Sequence, residues 1–334
     1  MDSITQASLG AAIGYLGFDK DKAKKALLIG AILGTLPDLD VLFTTQLPIV
    51  SQLFYHRGFS HSIIFALLAT YPITWILKKK RLRDYITVFL ILFTHSILDL
   101  FTTWGTQLLW PLPQRFAISN LFIIDPTYTF CLLIPIIGIL LKKSGRKAME
   151  LGVFFSCLYI LFTLCAKQWV GYRFLSDLNE KGIAPIRYSV KTTAFNSILW
   201  CLQFETEKAF YIGYTSLLSR NISPYYPVLK NKALPKALRK DKEVQRLLFL
   251  TNGFYTIQKV SESSTEDRYL IQDLRFGQGT GWETGNGKPV FQYQIKRRSS
   301  EKAIHIEQIR FNDRQYADYF SPFPAYFIGK FSND

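Results

Sequence analysis

The sequence predicts an α-helical multi-pass membrane bundle of five to six helices over residues 1–168, followed by an extracytoplasmic α+β, mainly antiparallel β domain over residues 169–334. Three observations predict it. Apolar runs rich in Leu, Ile and Phe alternate with short basic clusters through the first half. The second half is charged and aromatic, with the alternating pattern of strands. Three of the four histidines, His56, His61 and His95, fall inside the hydrophobic half, where an ionisable group is costly and a functional role is its default reading.

Residues 3–18 form a small-residue apolar helix, short for a full span of about 20 residues. The basic loop DKDKAKK (19–25) follows, then a Gly-rich helix over about 26–36 that ends at Pro37-Asp38-Leu39-Asp40. A loop continues to His61, with Ser60 read as the N-cap of a helix over 61–77. The cluster KKKRLRD (78–84) separates that helix from one over 85–104, which carries His95 and Asp99. After a long loop containing Trp104 and Trp110, two more apolar helices, 127–141 and 149–168, flank KKSGRK (142–147).

Beyond residue 168, AFNSILWCLQF and KAFYIGYTSLL read as a hairpin about Glu205-Thr206-Glu207, and LPKALRKDKEVQRLLFLTNGF as a helix. YTIQKV, RYLIQDLRF and VFQYQIKRR resume the strand pattern, with GQGTGWETGNGK as a turn and His305 on a surface strand. Cys131, Cys157 and Cys165 read as small buried hydrophobes, and four cysteines are too few for a disulfide framework. The N-terminus lacks the basic region of a cleavable signal and is expected to be retained.

The formal net charge is +15. With much of the first half's basic charge in loops between apolar runs and no nucleic-acid motif, the surplus points to membrane topology and membrane lipid, and no nucleic-acid partner is expected. Placing the basic loops 19–25, 78–84 and 142–147 in the cytoplasm puts Asp2, Asp38, Asp40, His56, His61 and Asp125 on the outer face, where His95 and Asp99 join them. His95 and Asp99 share one helix face at i, i+4 spacing. Three imidazoles with carboxylates suit a divalent metal, Zn²⁺ best, with Mn²⁺ or Fe²⁺ accepting the same donors. Such an ion polarises a phosphoryl or carbonyl oxygen, and a carboxylate left off it, Asp38 or Asp40, serves as general base. Arg57 orients a carboxylate or holds an anionic substrate, and Asp125, before Pro126, either caps a helix or joins the site. The expected activity is a metal-dependent hydrolase. The alternative is a non-enzymatic membrane protein whose metal or polar site is structural and which binds a protein partner. A transporter would carry charged residues through to the cytoplasmic side, and none is seen.

MDSITQASLGAAIG, GTLPDLD, HRGFSHS, HSILDLFTTWGTQLLWP and FIIDP, in that order, resemble the motifs of the membrane-bound metal-dependent hydrolase family, also described as LexA-binding, inner-membrane-associated hydrolases. The resemblance covers residues 1 to about 170. It implies a multi-pass protein of the bacterial inner membrane with a metal site at Asp2, Asp38, Asp40, His56, His61, His95 and Asp99. Gln6 stands where members often carry His, and a glutamine amide is a weak ligand, so position 6 is left out of the ligand set. The His-x-x-x-Asp pair is also similar to that of zinc-dependent phospholipase C and its nuclease relatives. With a site at headgroup depth, that analogy points to a phosphoester or lipid-like small-molecule substrate.

Overall fold

The computed structural model describes residues 1–19, 22–262, 266–279, 287–298, 304–310 and 320–331; most of the Gly-rich stretch expected to be a turn lies outside them. The chain divides into two compact units. One comprises Met1–Thr45, Tyr55–Lys167 and Thr192–Ser197; the other comprises Gln46–Phe54, Gln168–Lys191 and Ile198–Asp334.

The first unit is helical. Asp2 caps α1 (Ser3–Gly17), accepting from the backbone N–H of Ile4 and Thr5. α1 packs along α2 (Ala23–Thr35) through facing glycines. A Cβ on Gly30 would stand 2.2 Å from the Gly10 carbonyl oxygen, so only glycine permits this approach. Without a hydrophobic drive between helices in lipid, close backbone packing of this kind is what holds spans together. Pro37 stops α2 in a 3₁₀ turn, Leu36–Leu39, that runs into the short α3 (Asp40–Thr44). The expected loop up to His61 instead contains α3, α4 (Ile49–Tyr55) and a second 3₁₀ turn, Phe59–His61.

α5 (Ile63–Ile76) is capped by Ser62, whose hydroxyl accepts from Phe65 N–H, and not by Ser60 as the sequence suggested. Ser60 is spent elsewhere, as described below. α6 (Leu82–Leu100) packs against α1, α2 and α5, burying Val88, Ile91 and Leu92 with Phe18 and Leu33. α7 (Pro126–Leu140) adds Leu132 and Ile136 to a second core with Leu9, Leu27 and Leu98. α8 (Arg146–Glu180) has 35 residues and runs past the expected end at residue 168, because no breaker interrupts it before Gly182, at φ +67°.

Among the described residues, two helical stretches, Ala23–Thr44 and Arg146–Glu180, are long and apolar enough to cross a membrane. Ile49–His61 with Ile63–Ile76, bent by 62° at their junction, adds a third as a broken span. This falls short of the five or six spans read from the sequence. α1 and α7 have 15 residues each, roughly 22 Å of helix against a hydrocarbon core of about 30 Å. α6 is long enough, but Arg83, Asp84 and Asp99 interrupt its apolar character. Cys157 and Cys165 are exposed on α8 and are not the buried hydrophobes expected; Cys201 is buried.

The second unit is built on two four-stranded antiparallel sheets, each in sequential order. The first comprises β1 (Arg187–Thr192), β2 (Leu199–Glu205), β3 (Ala209–Ser216) and β4 (Tyr226–Leu229). The second comprises β5 (Tyr255–Glu262), β6 (Glu266–Gln278), β7 (Pro289–Arg298) and β8 (His305–Ile309). The β2–β3 hairpin pairs Leu199 with Ser216 through Glu205 with Phe210, as the run of apolar residues on either side of Thr206 predicts. The single helix expected over 234–254 is two, α9 (Lys236–Arg239) and α10 (Lys242–Leu250), because Asp241 caps a new helix through Glu243 and Val244 N–H. A further short helix, α11 (Phe323–Phe327), sends Tyr326 into a core with Leu199, Ile212 and Tyr214. β1, β4 and α11 have too little patterned sequence to be read in advance. His305 lies exposed on β8, as expected.

At the end of β2, buried Glu205 meets two cations, with Lys230 Nζ at 2.6 Å and Arg187 Nε also in contact. Burial alone would raise its pKa, yet these partners hold it below the ordinary value of 4.5. A depressed folded-state pKa contributes stability above the unfolded value that is lost as pH falls through the folded one. Glu205→Gln is therefore expected to cost about 1–3 kcal/mol at neutral pH. The difference from the unsubstituted chain should shrink as the pH drops below 4.5, which thermal unfolding followed by circular dichroism in detergent will read.

Candidate metal centre

Four side chains converge in the first unit, Asp38, His61, His95 and Asp99, with one donor atom of each lying within 4.8 Å of all the others. Each comes from a different local cause. Pro37 ends α2 and turns Asp38 inward; the Phe59–His61 turn presents His61; and i, i+4 spacing on α6 stacks His95 and Asp99. His61 Nε2 lies 3.1 Å from His95 Nε2, 3.2 Å from Asp38 Oδ1 and 3.3 Å from Asp99 Oδ2. His95 Nε2 lies 3.6 Å from Asp38 Oδ1 and 3.7 Å from Asp99 Oδ2. Donors at about 2.0–2.1 Å from a tetrahedral ion stand roughly 3.3–3.4 Å from one another, so these separations fit one ion of zinc's size.

The outer nitrogen of each ring is its donating N–H, so a neutral ring turns a lone pair inward. His95 Nδ1 is 2.7 Å from the Gly34 carbonyl oxygen, which can only accept, so Nδ1 is the N–H and Nε2 carries a lone pair. His61 Nδ1 is 2.9 Å from Ser60 Oγ, and Ser60 in turn donates to Asp40 Oδ2 at 2.8 Å. The serine oxygen therefore accepts from His61 Nδ1, and in the neutral ring His61 Nε2 is a lone pair as well. With both rings neutral the two Nε2 lone pairs oppose each other across 3.1 Å, a contact that a metal ion, or a proton on one of them, relieves. Asp99 Oδ2, buried and making no hydrogen bond, faces the same point. The donor set, two neutral imidazoles and two carboxylates, is one that zinc accepts.

The remaining residues read from the sequence are placed around this set or away from it. Asp40 accepts from His56 Nδ1 at 2.8 Å, Arg57 N–H at 3.1 Å and Ser60. The His56–Asp40 pair thus adjoins the four donors, with the His56 ring 5.7 Å from that of His61 and its side chain 24% exposed. Arg57 is buried at φ +60°, a strained conformation for a residue with a side chain. Its Nε lies 3.2 Å from Asp99 Oδ2 and its Nη1 donates to Thr102, so it orients a carboxylate. Asp2, capping α1 and accepting from Thr5 Oγ1, points its carboxylate at its own helix rather than at the four donors. Asp125 caps α7 through Tyr128 N–H and accepts from Tyr159 and Ser197. Burial pushes its carboxyl above the ordinary range.

Three contributors escape sequence reasoning. Gly34 offers only a carbonyl, and no residue pattern announces that. Ser60 sits beside His61 in Phe59-Ser60-His61, where a hydroxyl reads equally as a cap. Gln6, set aside as a ligand, donates to Asp99 Oδ1 at 3.3 Å and to the His95 carbonyl at 3.2 Å. Asp99 Oδ1 also accepts from the Met1 amino group.

Because Ser60 touches no ion-facing atom, Ser60→Ala should keep all four donors yet release the His61 ring from its tautomer. Losing such an outer partner is expected to weaken zinc affinity about 10–100-fold, measurable by chelator competition, with the fold unchanged by circular dichroism.

The comparisons with known proteins follow this geometry. The family described as YdjM inner membrane protein matches residues 1–170, a stretch that holds all four converging donors. Inner membrane protein YbcI of Escherichia coli is 34% identical over 116 residues, 32% of this chain and 66% of that protein. Inner membrane protein YdjM, from Escherichia coli and from Shigella flexneri, is 36% identical over 78 residues, 22% of this chain and 38% of each relative. The chain thus spans somewhat under two thirds of YbcI and under two fifths of YdjM. No solved structure matches. With its first half matched throughout, the chain belongs to the YdjM inner membrane protein family.

Proposed function

We propose that Asp38, His61, His95 and Asp99 hold a divalent cation, zinc first, and that the chain is a membrane-bound hydrolase acting on a phosphoester or similar lipid-like substrate. The observation that carries this reading is the opposition of two imidazole lone pairs at 3.1 Å, flanked by two carboxylate oxygens. A bound divalent ion supplies Lewis-acid polarisation of a phosphoryl or carbonyl oxygen and makes water more acidic. The sequence offered Asp38 or Asp40 as base; the geometry supports Asp38 as ligand. The proton acceptor is then the His56–Asp40 pair, whose carboxylate holds the imidazole and whose ring reaches water. Arg57, occupied by Asp99, positions that ligand and does not bind substrate. Support for an amphiphilic substrate comes from α3, where Leu42 and Phe43, directly after the Asp38–Asp40 turn, are 63% and 86% exposed. The positive-inside rule supports a cytoplasmic position for the basic loops, the site on the outer side, and residues 169–334 outside the cytoplasm.

A second reading has its own observation. Four protein donors complete a tetrahedron, the arrangement of closed structural zinc sites, and a protein partner would then be the output.

Purified chain in detergent should carry about one zinc per polypeptide by elemental analysis, lost in His95→Ala and Asp99→Asn. It should hydrolyse a nitrophenyl phosphoester or a phospholipid in mixed micelles. His56→Ala should keep the zinc and lose about 10²-fold or more in kcat. Zinc-loaded protein that cleaves neither substrate would establish the structural reading; metal content unchanged in both ligand variants would remove the centre altogether.

A further inference from the structure

A cavity of about 680 Å³ opens between α7 and α8 in the first unit, remote in sequence from the metal donors and lined almost wholly by carbon. Phe130 and Ile134 form one wall, and Leu151, Phe155 and Phe162 the other; all five are exposed. Its floor is kept shallow by Gly152, where a Cβ would stand 2.5 Å from the Cys131 carbonyl oxygen, so the two helices meet there with no side chain between them. From Ala148 to Phe162 the groove follows α8 for roughly 21 Å, longer than the roughly 15 Å depth of hydrocarbon in one leaflet.

One end of the groove is chemically different. Ser144 lines it there, within the α7–α8 connection KKSGRK. Arg146 is paired with Glu150 at 2.7 Å. Lys142, Lys143 and Lys147 are exposed, and among the described residues no carboxylate stands within ion-pair distance of them. These lysines neighbour the lining residues Ser144 and Ala148 in the chain, and a run of one sign next to an apolar slot in a membrane protein complements an anion with a long hydrocarbon tail.

We infer that this groove is a binding site for an anionic phospholipid, with one acyl chain lying between α7 and α8 and the phosphate held by Lys142, Lys143 and Lys147. A basic residue at a membrane surface strengthens attraction to anionic lipid about fivefold, so three act together by roughly a hundredfold at low salt. The site is independent of the metal centre and of the hydrolase reading.

The experiment is native mass spectrometry of the full chain released from micelles containing equal phosphatidylglycerol and phosphatidylcholine. The unsubstituted chain should retain phosphatidylglycerol at least about tenfold over phosphatidylcholine. The triple exchange Lys142→Gln, Lys143→Gln, Lys147→Gln should abolish that preference, and Ala148→Phe, which fills the slot from its half-buried lip, should reduce retention of both lipids. Circular dichroism and thermal unfolding like those of the unsubstituted chain will show that both variants are folded. Equal retention of the two lipids by the unsubstituted chain, or a preference that survives both variants, overturns the proposal. So does a dimer that Ala148→Phe dissolves while lipid retention stays unchanged, which would assign the groove to a second copy of the chain.

Discussion

The arrangement that the rest of the site serves is the opposition of His61 Nε2 and His95 Nε2 across 3.1 Å. Neither ring is free to turn its N–H inward, because each outer nitrogen is held by an acceptor, the Gly34 carbonyl for one and the Ser60 hydroxyl for the other. In their neutral forms both rings therefore turn a lone pair to the centre. The strain visible nearby follows from the same demand: Arg57 takes φ +60° so that its backbone N–H reaches Asp40 while its guanidinium reaches Asp99.

Contrast among the carboxylates shows which belong to this centre. Asp2 and Asp125 are each satisfied by backbone and hydroxyl donors close to the helix they cap. Beside them the Thr5 hydroxyl, bonded to the Asp2 carboxylate, lies 2.6 Å from that of Thr129, which is bonded to the Asp125 backbone carbonyl. Asp99, fully buried, gives Oδ1 to Gln6 and the Met1 amino group and turns Oδ2, which makes no hydrogen bond, to the inner nitrogens. A buried polar atom without a hydrogen bond costs on the order of 1–3 kcal/mol, more when charged, so its retention beside two lone pairs calls for a positive partner. Arg57 at 3.2 Å supplies part of that charge from one side.

Much of this was legible in the sequence, and the rest was hidden for definite reasons. His95 and Asp99 could be paired because helical periodicity is a local property, and the basic clusters marked the breaks between helices. The convergence of the Pro37 turn, the Phe59–His61 turn and α6 depends on tertiary packing, which spacing does not encode, and so His56 could not be separated from His61 as ligand. Asp2 entered through its place on the outer face and through the resemblance, and its capping geometry shows a local role. The expected span count exceeds the structure's because α1 and α7 are apolar but only 15 residues long, and because Arg83, Asp84 and Asp99 break the apolar run of α6. In the second unit, the alternation of β2, β3 and the long β5–β7 strands was plain. β4, at four residues, lies below the length at which alternation is a signal.

Gly34 ties the packing of the membrane unit to the chemistry of its centre. A side chain there would place Cβ 2.5 Å from the Gln6 carbonyl oxygen, so α1 and α2 approach closely only because the position is bare. That same residue's carbonyl accepts from His95 Nδ1 and thereby decides the tautomer at Nε2. Gln6, on the α1 side of the contact, donates to Asp99. Any separation of the two helices would thus withdraw the acceptor from His95 and the donor from Asp99 together. In a bilayer, where helix association rests on close contact rather than on exclusion of water, the glycine crossing and the donor set stand or fall as one structure.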